Sequence, residues 1–277
     1  MISKSPVCFL LSGMSLSSAL FTKGQTDPGN FTVALIRAPP VNVPYPPPSS
    51  DWFGQMHDIN ETVDFGVKLI QRAAISGADF VAFPELWFPG YIDADPGPTE
   101  LLNNYLSKQS PVWLEFGFAQ HIKDNVYMGQ ALIDSKGNVI QIRQKLRPSG
   151  AERNIFSDGT IDQLQVHKTL FVRLHMHPTM TFAIHAQYEH IHIAAFPWAP
   201  DLNVDTGSTR SDVSLAAARL YAVVGGVHVF MPAVGTAAVF APNGTLVTSI
   251  QASEDPYETP ILYHSIDSRV CVVAANT

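Results

Sequence analysis

The sequence predicts a layered α/β domain: mixed β-sheets covered by helices on their outer faces. Three observations lead there. An apolar strand, a capped amphipathic helix and a second apolar strand follow one another between Phe31 and Phe83. Two turn signals, Ser135-Lys136-Gly137-Asn138 and Asn243-Gly244, each sit between apolar runs and mark hairpins. Strands joined across a helix pair in parallel and strands joined by a tight turn pair antiparallel, so both kinds of neighbour belong in one domain. The third observation is bulk. With 277 residues, 46% hydrophobic and 15% charged, the chain can fill one large core but not two of comparable size.

The elements follow in order. Phe31–Ala38 is apolar and stops at Pro39-Pro40, as a first strand should. The proline-rich stretch Val41–Ser50 cannot continue a central strand or a helix, because proline has no N–H to give. Asp58 with Glu61 has the spacing of a capping box. Val63, Val67, Ile70 and Ala74 then recur at helical spacing, and Gly77 supplies the stop. Phe80–Phe83 is a short continuous apolar run, the pattern of a strand buried on both faces. Gln130–Asp134 and Val139–Gln144 form the first hairpin. His190–Phe196 reads as one strand, with Ile191 and Ile193 alternating against His190 and His192. Ser211–Val224 reads as a helix with Val213, Ala216, Ala217, Leu220 and Tyr221 on its apolar side, closed by Gly225-Gly226. Val227–Met231 follows as a strand. Ala237–Ala241 and Thr245–Ile250 make the second hairpin, and Ile261–Ile266 is the last strand. Residues 1–28 are expected to be an N-terminal extension without regular order, and 29–277 the domain.

Charge and cysteine content narrow the function. A net charge of −7 with no basic run argues against a nucleic-acid partner, and neither a Walker nor a Rossmann glycine signature is present. Cys8 and Cys271, near opposite ends, form neither a disulfide framework nor a cysteine metal site, which suits a reducing, cytoplasmic setting. Three Asn-x-Thr sequons, at Asn30, Asn60 and Asn243, keep secretion open as an alternative. The apolar run Pro6–Phe21 is too short and polar for a membrane span.

Two segments can carry chemistry. In Val81-Ala82-Phe83-Pro84-Glu85-Leu86-Trp87-Phe88-Pro89-Gly90-Tyr91 a carboxylate stands where a buried strand ends, among aromatics and prolines. Poor solvation there favours a general base; the plainer reading is a loop glutamate capping a neighbour. In Gln144-Lys145-Leu146-Arg147-Pro148, followed by Gly150-Ala151-Glu152-Arg153, a lysine leaves a strand end and a glutamate follows a few residues on. Such a lysine can steady negative charge on an intermediate, and the glutamate can hold it in place; the plainer reading is a solvated basic stretch.

Together the two segments resemble the nitrilase superfamily of carbon–nitrogen hydrolases: Pro-Glu-x-x-x-x-Gly-Tyr, then Arg-Lys-Leu-x-Pro with Gln144 in place of the arginine, then Glu-Arg. Phe156-Ser157-Asp158-Gly159, Ile191-His192-Ile193-Ala194-Ala195-Phe196-Pro197, Tyr221-Ala222 and Pro242-Asn243-Gly244 resemble later family landmarks in the same order, from about Phe31 to Ser268. The nearest flavour is the nitrilase and cyanide hydratase branch. The resemblance implies an αββα sandwich of two mixed sheets with outer helices. It implies a cysteine hydrolase that converts a small nitrile or cyanide to carboxylic acid plus ammonia, or to amide. It also implies a homo-oligomer assembled through a helical layer, and no cofactor. Carried over, Glu85 is the general base, Lys145 steadies the intermediate and Glu152 positions the lysine, with Tyr91, His175, Pro178 and Trp198 as possible pocket residues.

The nucleophile breaks the pattern. The family reads Cys-Trp-Glu-His-x-x-Pro; counting back from Ile191 puts His175 and Pro178 on its His and Pro, and Val172 on the cysteine. The stretch from Glu152 to Val172 is several residues short for the family. A second apparent cut lies between Asp124 and Val126, where the family has a strand and loop. The chain also ends at Thr277, before the family's assembly tail. The fold is thus expected to be incomplete in the middle, with Asp124–Tyr127 and Gln165–His175 irregular. A non-catalytic family member that binds a ligand or partner subunit is the main rival reading. A histidine-ligated metal hydrolase is the third, because six of the ten histidines lie between His167 and His192; the family pattern already uses His175 and His192, so no metal is expected.

Overall fold

The structure, a computed structural model, describes residues 30–43, 45, 58–92, 112–166, 171–172, 178–187, 189–201 and 211–267. The expected N-terminal extension lies outside them, as do His175, Cys8 and Cys271.

The first sheet grows from β1 (Asn30–Ile36). Helix α1 (Ile59–Ile75) follows, and Asp58 caps it by accepting a 3.0 Å hydrogen bond from the Glu61 N–H. Gly77, at φ +85°, turns the chain into β2 (Phe80–Ala82), which lies parallel to β1. β3 (Phe88–Ile92) and β4 (Trp113–Ile122) run parallel to each other, and β4 parallel to β2. β5 (Asn125–Ile133) and β6 (Val139–Gln144) fold back as successive hairpins. The last strand, β14 (Ile261–Asp267), returns antiparallel to β1, so the order is β14-β1-β2-β4-β5-β6 with β3 on β4.

The second sheet has the order β13-β12-β10-β8-β7. Its members are β7 (Phe171–Val172), β8 (Ile191–Ile193), β10 (His228–Met231), β12 (Ala237–Phe240) and β13 (Leu246–Ile250). Between β7 and β8 lies α2 (Pro178–His185), and α3 (Ser211–Gly225) precedes β10. A separate parallel pair joins β9 (Phe196–Ala199) to β11 (Ala233–Gly235).

Strand alternation sorts the side chains into layers. Phe31, Val33 and Leu35 of β1 face Ile191, Ile193, Phe230 and Val239 between the sheets. Ala34 and Ile36 face the other way, against Val63, Val67, Leu69 and Ile70 of α1. On the far side Ala218, Tyr221 and Ala222 of α3 cover Val229, Met231, Ala238 and Phe240. This is the αββα sandwich of mixed sheets. Where β1 ends, the fully buried Arg37 donates to the carbonyls of Gly235, Thr259, Gln251 and Glu254 at 2.6–2.8 Å and to Thr259 Oγ1 at 2.9 Å. A guanidinium can answer that many acceptors at once, so it ties β11 and the 251–259 loop to the first sheet.

Several expectations need correction. The flank of the apparent cut at Asp124 is regular: β4 and β5 pair without interruption from Leu114↔Ile133 to Ile122↔Asn125 across a turn in which Lys123 takes φ +55°. Asp124–Tyr127 is therefore a regular hairpin rather than an irregular flank. The second expected irregular segment is described only in part, and within it Phe171–Val172 pairs with β8 as a two-residue strand. His190–Phe196 is not one strand. β8 stops at Ile193, the Ala194 N–H donates to the Phe230 carbonyl, and Phe196 opens the separate β9 ladder. Helix α3 turns a different face inward: Ala218, Tyr221 and Ala222 are buried, whereas Val213, Ala216 and Leu220 are exposed. With apolar residues almost all round α3, pattern alone could not choose the face.

Candidate active site

Glu85 sits in the turn after β2, next to Leu86, a non-glycine residue at φ +50°. Left-handed backbone at a residue carrying a Cβ stores strain, and strain of this kind gathers at functional sites. The turn is pinned at both ends. The Phe83 N–H donates to the Glu115 carbonyl at 2.9 Å, and the Glu85 N–H reaches the Phe196 carbonyl at 3.3 Å. The second contact ties the first sheet to the β9 ladder.

Lys145 follows β6 directly. Its N–H donates to the Met128 carbonyl at 2.7 Å, and its carbonyl accepts from the Gly159 N–H at 3.0 Å, so its Cα is held on both sides. Glu152 lies in a one-turn helical segment, Gly150–Asn154, where its carboxylate accepts from the Ser149 N–H at 2.6 Å. Ser149-Gly150-Ala151-Glu152 is itself a Ser-x-x-Glu capping signature, a sequence signal that would have fixed the glutamate's orientation.

These three elements bring three charges together. Lys145 Nζ donates to Glu85 Oε1 at 2.8 Å and to Glu152 Oε2 and Oε1 at 2.8 and 3.1 Å. The Glu85 side chain is 5% exposed, while those of Lys145 and Glu152 are 27% and 26% exposed. An ammonium has three protons, and here all three are engaged. Together they leave one negative charge in excess. The carboxylate buried deepest is the one an approaching substrate would meet with least competition from water. If a new acceptor forms beside Nζ, the longer of the two bonds to Glu152 is the one that can yield while the other keeps the lysine oriented.

Val172 ends β7, opposite His192 in the parallel register, in the second sheet. Tyr91 lies in β3, and Pro178 opens α2. The Trp198 ring packs edge-on against Tyr45 at 5.5 Å, against the core cluster that also holds the α1 side chains. His192 is buried, its Nδ1 lies 2.8 Å from Glu189 Oε1, and its ring stacks on Tyr221 at 3.7 Å. Tyr221 in turn donates to Glu189 Oε2 at 2.6 Å, and burial together with that carboxylate holds its phenol protonated. Sequence reading missed this buried network, because Glu189 carries no motif. Among the described residues no group of three or more His, Cys, Asp or Glu is placed to hold a metal ion.

The family model for carbon–nitrogen hydrolases matches residues 32–275. A nitrilase from Pseudomonas syringae is 29% identical over 204 residues, 63% of this chain and 61% of that protein. An Aspergillus oryzae arylacetonitrilase is 29% identical, covering 87% of this chain and 84% of that one. Among solved structures, a Saccharomyces cerevisiae member of branch 10 of the nitrilase superfamily superposes with TM-score 0.65 at 16% identity, covering 88% of this chain and 93% of that one. An amidase from Nesterenkonia superposes with TM-score 0.63 at 16% identity, covering 86% and 90%. With the family model spanning nearly the whole domain, and the fold matching its solved members, this chain belongs to the carbon–nitrogen hydrolase family of the nitrilase superfamily.

Proposed function

We propose that this chain keeps the base-and-lysine half of a nitrilase site for small nitriles or cyanide, and that as it stands it does not turn them over. The observation behind the proposal is the three-way contact of Lys145 with Glu85 and Glu152 at 2.8 Å. In nitrile hydrolysis a thiol gives its proton to a base and its sulfur adds to the nitrile carbon, while the nitrogen takes a proton to give a thioimidate. Water then adds to that carbon. Loss of ammonia followed by a second water gives the acid, and loss of the thiol gives the amide.

Glu85 is the group suited to take the proton, and Lys145 the one suited to meet charge as it grows on the reacting atoms. Glu152, fixed through Ser149, keeps Lys145 aimed. No cysteine stands among the described residues, and Val172 occupies the position carried over for it. A carboxylate and an ammonium do not replace a thiolate toward a nitrile carbon, so the resting site should bind and go no further.

A second reading is a non-catalytic member that binds a small ligand or another subunit. The exposed apolar face of α3 (Val213, Leu220, Val223, Val224), together with the exposed Phe182 of α2, favours it. That face suits a second copy of the chain, in keeping with a homo-oligomer built through a helical layer. Among the described residues no helix is long and apolar enough to cross a membrane. We place the protein in the cytoplasm, given its sparse cysteines.

Intact-mass spectrometry tests the proposal. After incubation with an aryl or aliphatic nitrile the protein mass should be unchanged. A covalent increment equal to the nitrile, lost in the Cys8→Ser or Cys271→Ser variant, would show that a thiol reaches the site and would overturn it.

A further inference from the structure

Gly117 lies in the middle of β4, on the face turned toward the Glu85 turn. A Cβ at this position would come within 2.7 Å of the Leu86 backbone nitrogen, 3.3 Å of Glu85 Cα and 3.3 Å of the Pro84 carbonyl oxygen. All three contacts are backbone, so no side-chain rotation relieves them. The turn itself has little room to retreat: Leu86 is already left-handed, and Phe83 and Glu85 are tied by their N–H groups to Glu115 and Phe196. An ordinary contact needs at least several tenths of an ångström more than 2.7 Å, and a carboxylate that must stay within hydrogen-bond reach of Lys145 cannot absorb such a shift unnoticed.

From this we infer that Gly117 is a positioning residue: the bare backbone of β4 lets the Pro84–Leu86 turn lie flat on the sheet, and that placement brings the Glu85 carboxylate onto the Lys145 ammonium. The inference rests on the Glu85–Lys145 pairing of the proposed site. β4 is otherwise bulky on its helix side, with Leu114, Phe116 and Phe118. The gap at Gly117 falls on the opposite face, where the turn crosses.

Gly129 provides the control. It stands opposite Phe118 on β5, and a Cβ there would meet the Phe118 ring at 2.9 Å on the helix-facing side of the same sheet. Gly129→Ala should therefore cost stability without touching the Glu85 turn.

The readout is the rate at which a water-soluble acylating reagent modifies Lys145 in the full-length chain. Peptide mass spectrometry measures it relative to the exposed Lys136. An amine held by two carboxylates reacts slowly, and losing one charge-assisted bond should speed it on the order of tenfold. Glu85→Gln sets the scale. Gly117→Ala should match it, and Gly129→Ala should leave Lys145 at the wild-type rate even where its melting temperature falls. If Glu85→Gln accelerates labelling and Gly117→Ala does not, the positioning role is wrong while the site reading stands. If neither accelerates it, Glu85 and Lys145 are not paired in solution and both fall. Equal acceleration in Gly117→Ala and Gly129→Ala would reduce the effect to general loosening and overturn the inference. Should Gly117→Ala fail to fold, the double variant with Leu86→Gly gives the turn freedom to retreat, and the same two rates decide.

Discussion

Removing the cation from the charge cluster should expose how strongly the site is coupled. In Lys145→Met the two carboxylates lose their shared partner. Glu85, 5% exposed at its side chain, is then left as a buried anion without the ammonium that met it at 2.8 Å. Breaking a buried pair by removing one member costs about 3–5 kcal/mol. Lys145 and Glu152 are about one-quarter exposed, so water screens part of that loss and roughly 2–3 kcal/mol is the expected destabilisation. Adding Glu85→Gln to Lys145→Met removes the stranded charge and should restore about 2 kcal/mol, although Glu85→Gln alone destabilises. Urea unfolding of the wild type, both single variants and the double variant closes the cycle. A coupling energy below about 0.5 kcal/mol would mean that the three groups do not act as a unit, and the site drawn from them would fail.

Arg37 and the inter-sheet histidines give independent tests. Arg37→Met leaves four carbonyls and a hydroxyl without their buried donor and should cost about 3–5 kcal/mol in urea unfolding; Arg37→Lys, with three donors, should recover only part. Burial pushes the imidazoles of His228 and His264 below the ordinary histidine value, and His264 adds to the effect on His228. Folded, each holds a proton less readily than when unfolded. Their contribution is therefore intact above about pH 6.5 and is lost as the pH falls below it. The melting temperature should drop between pH 7.5 and 5.5, and His264→Gln should flatten that slope; an unchanged slope would contradict the assignment.

Elements with a chemical marker at each end were legible in the sequence. Asp58 and Gly77 bracket α1, and Asn243-Gly244 turns β12 into β13 with Gly244 at φ +79°. β4 carried no such marker. Trp113-Leu114-Glu115-Phe116-Gly117 mixes a buried glutamate and a glycine into an apolar run, and the two-residue turn at Lys123-Asp124 achieves left-handed backbone without glycine or asparagine. That turn closes β4 onto β5 where an irregular flank was expected. His190–Phe196 failed for a different reason. The point where a strand leaves one ladder for another is set by the Phe230 and Pro232 carbonyls, which receive the Ala194 and Phe196 N–H groups, and these are far away in sequence. The site was the more legible part. Glu85 and Lys145 stand out as charges at the ends of apolar strands, and Glu152 completes a Ser-x-x-Glu capping signature with Ser149, whereas the close approach of the Glu85 turn to Gly117 is visible only once the strands are paired.

Ammonia release tests the central claim most directly. The account holds that Glu85, Lys145 and Glu152 form the remaining half of a carbon–nitrogen hydrolase site that has no thiolate to attack with. Purified full-length chain incubated with aliphatic and aromatic nitriles and with cyanide at neutral pH should yield no more ammonia than the Glu85→Ala variant does. Turnover above that control, abolished by Glu85→Ala and by Lys145→Ala alike, would mean that a nucleophile completes this site and would contradict the account.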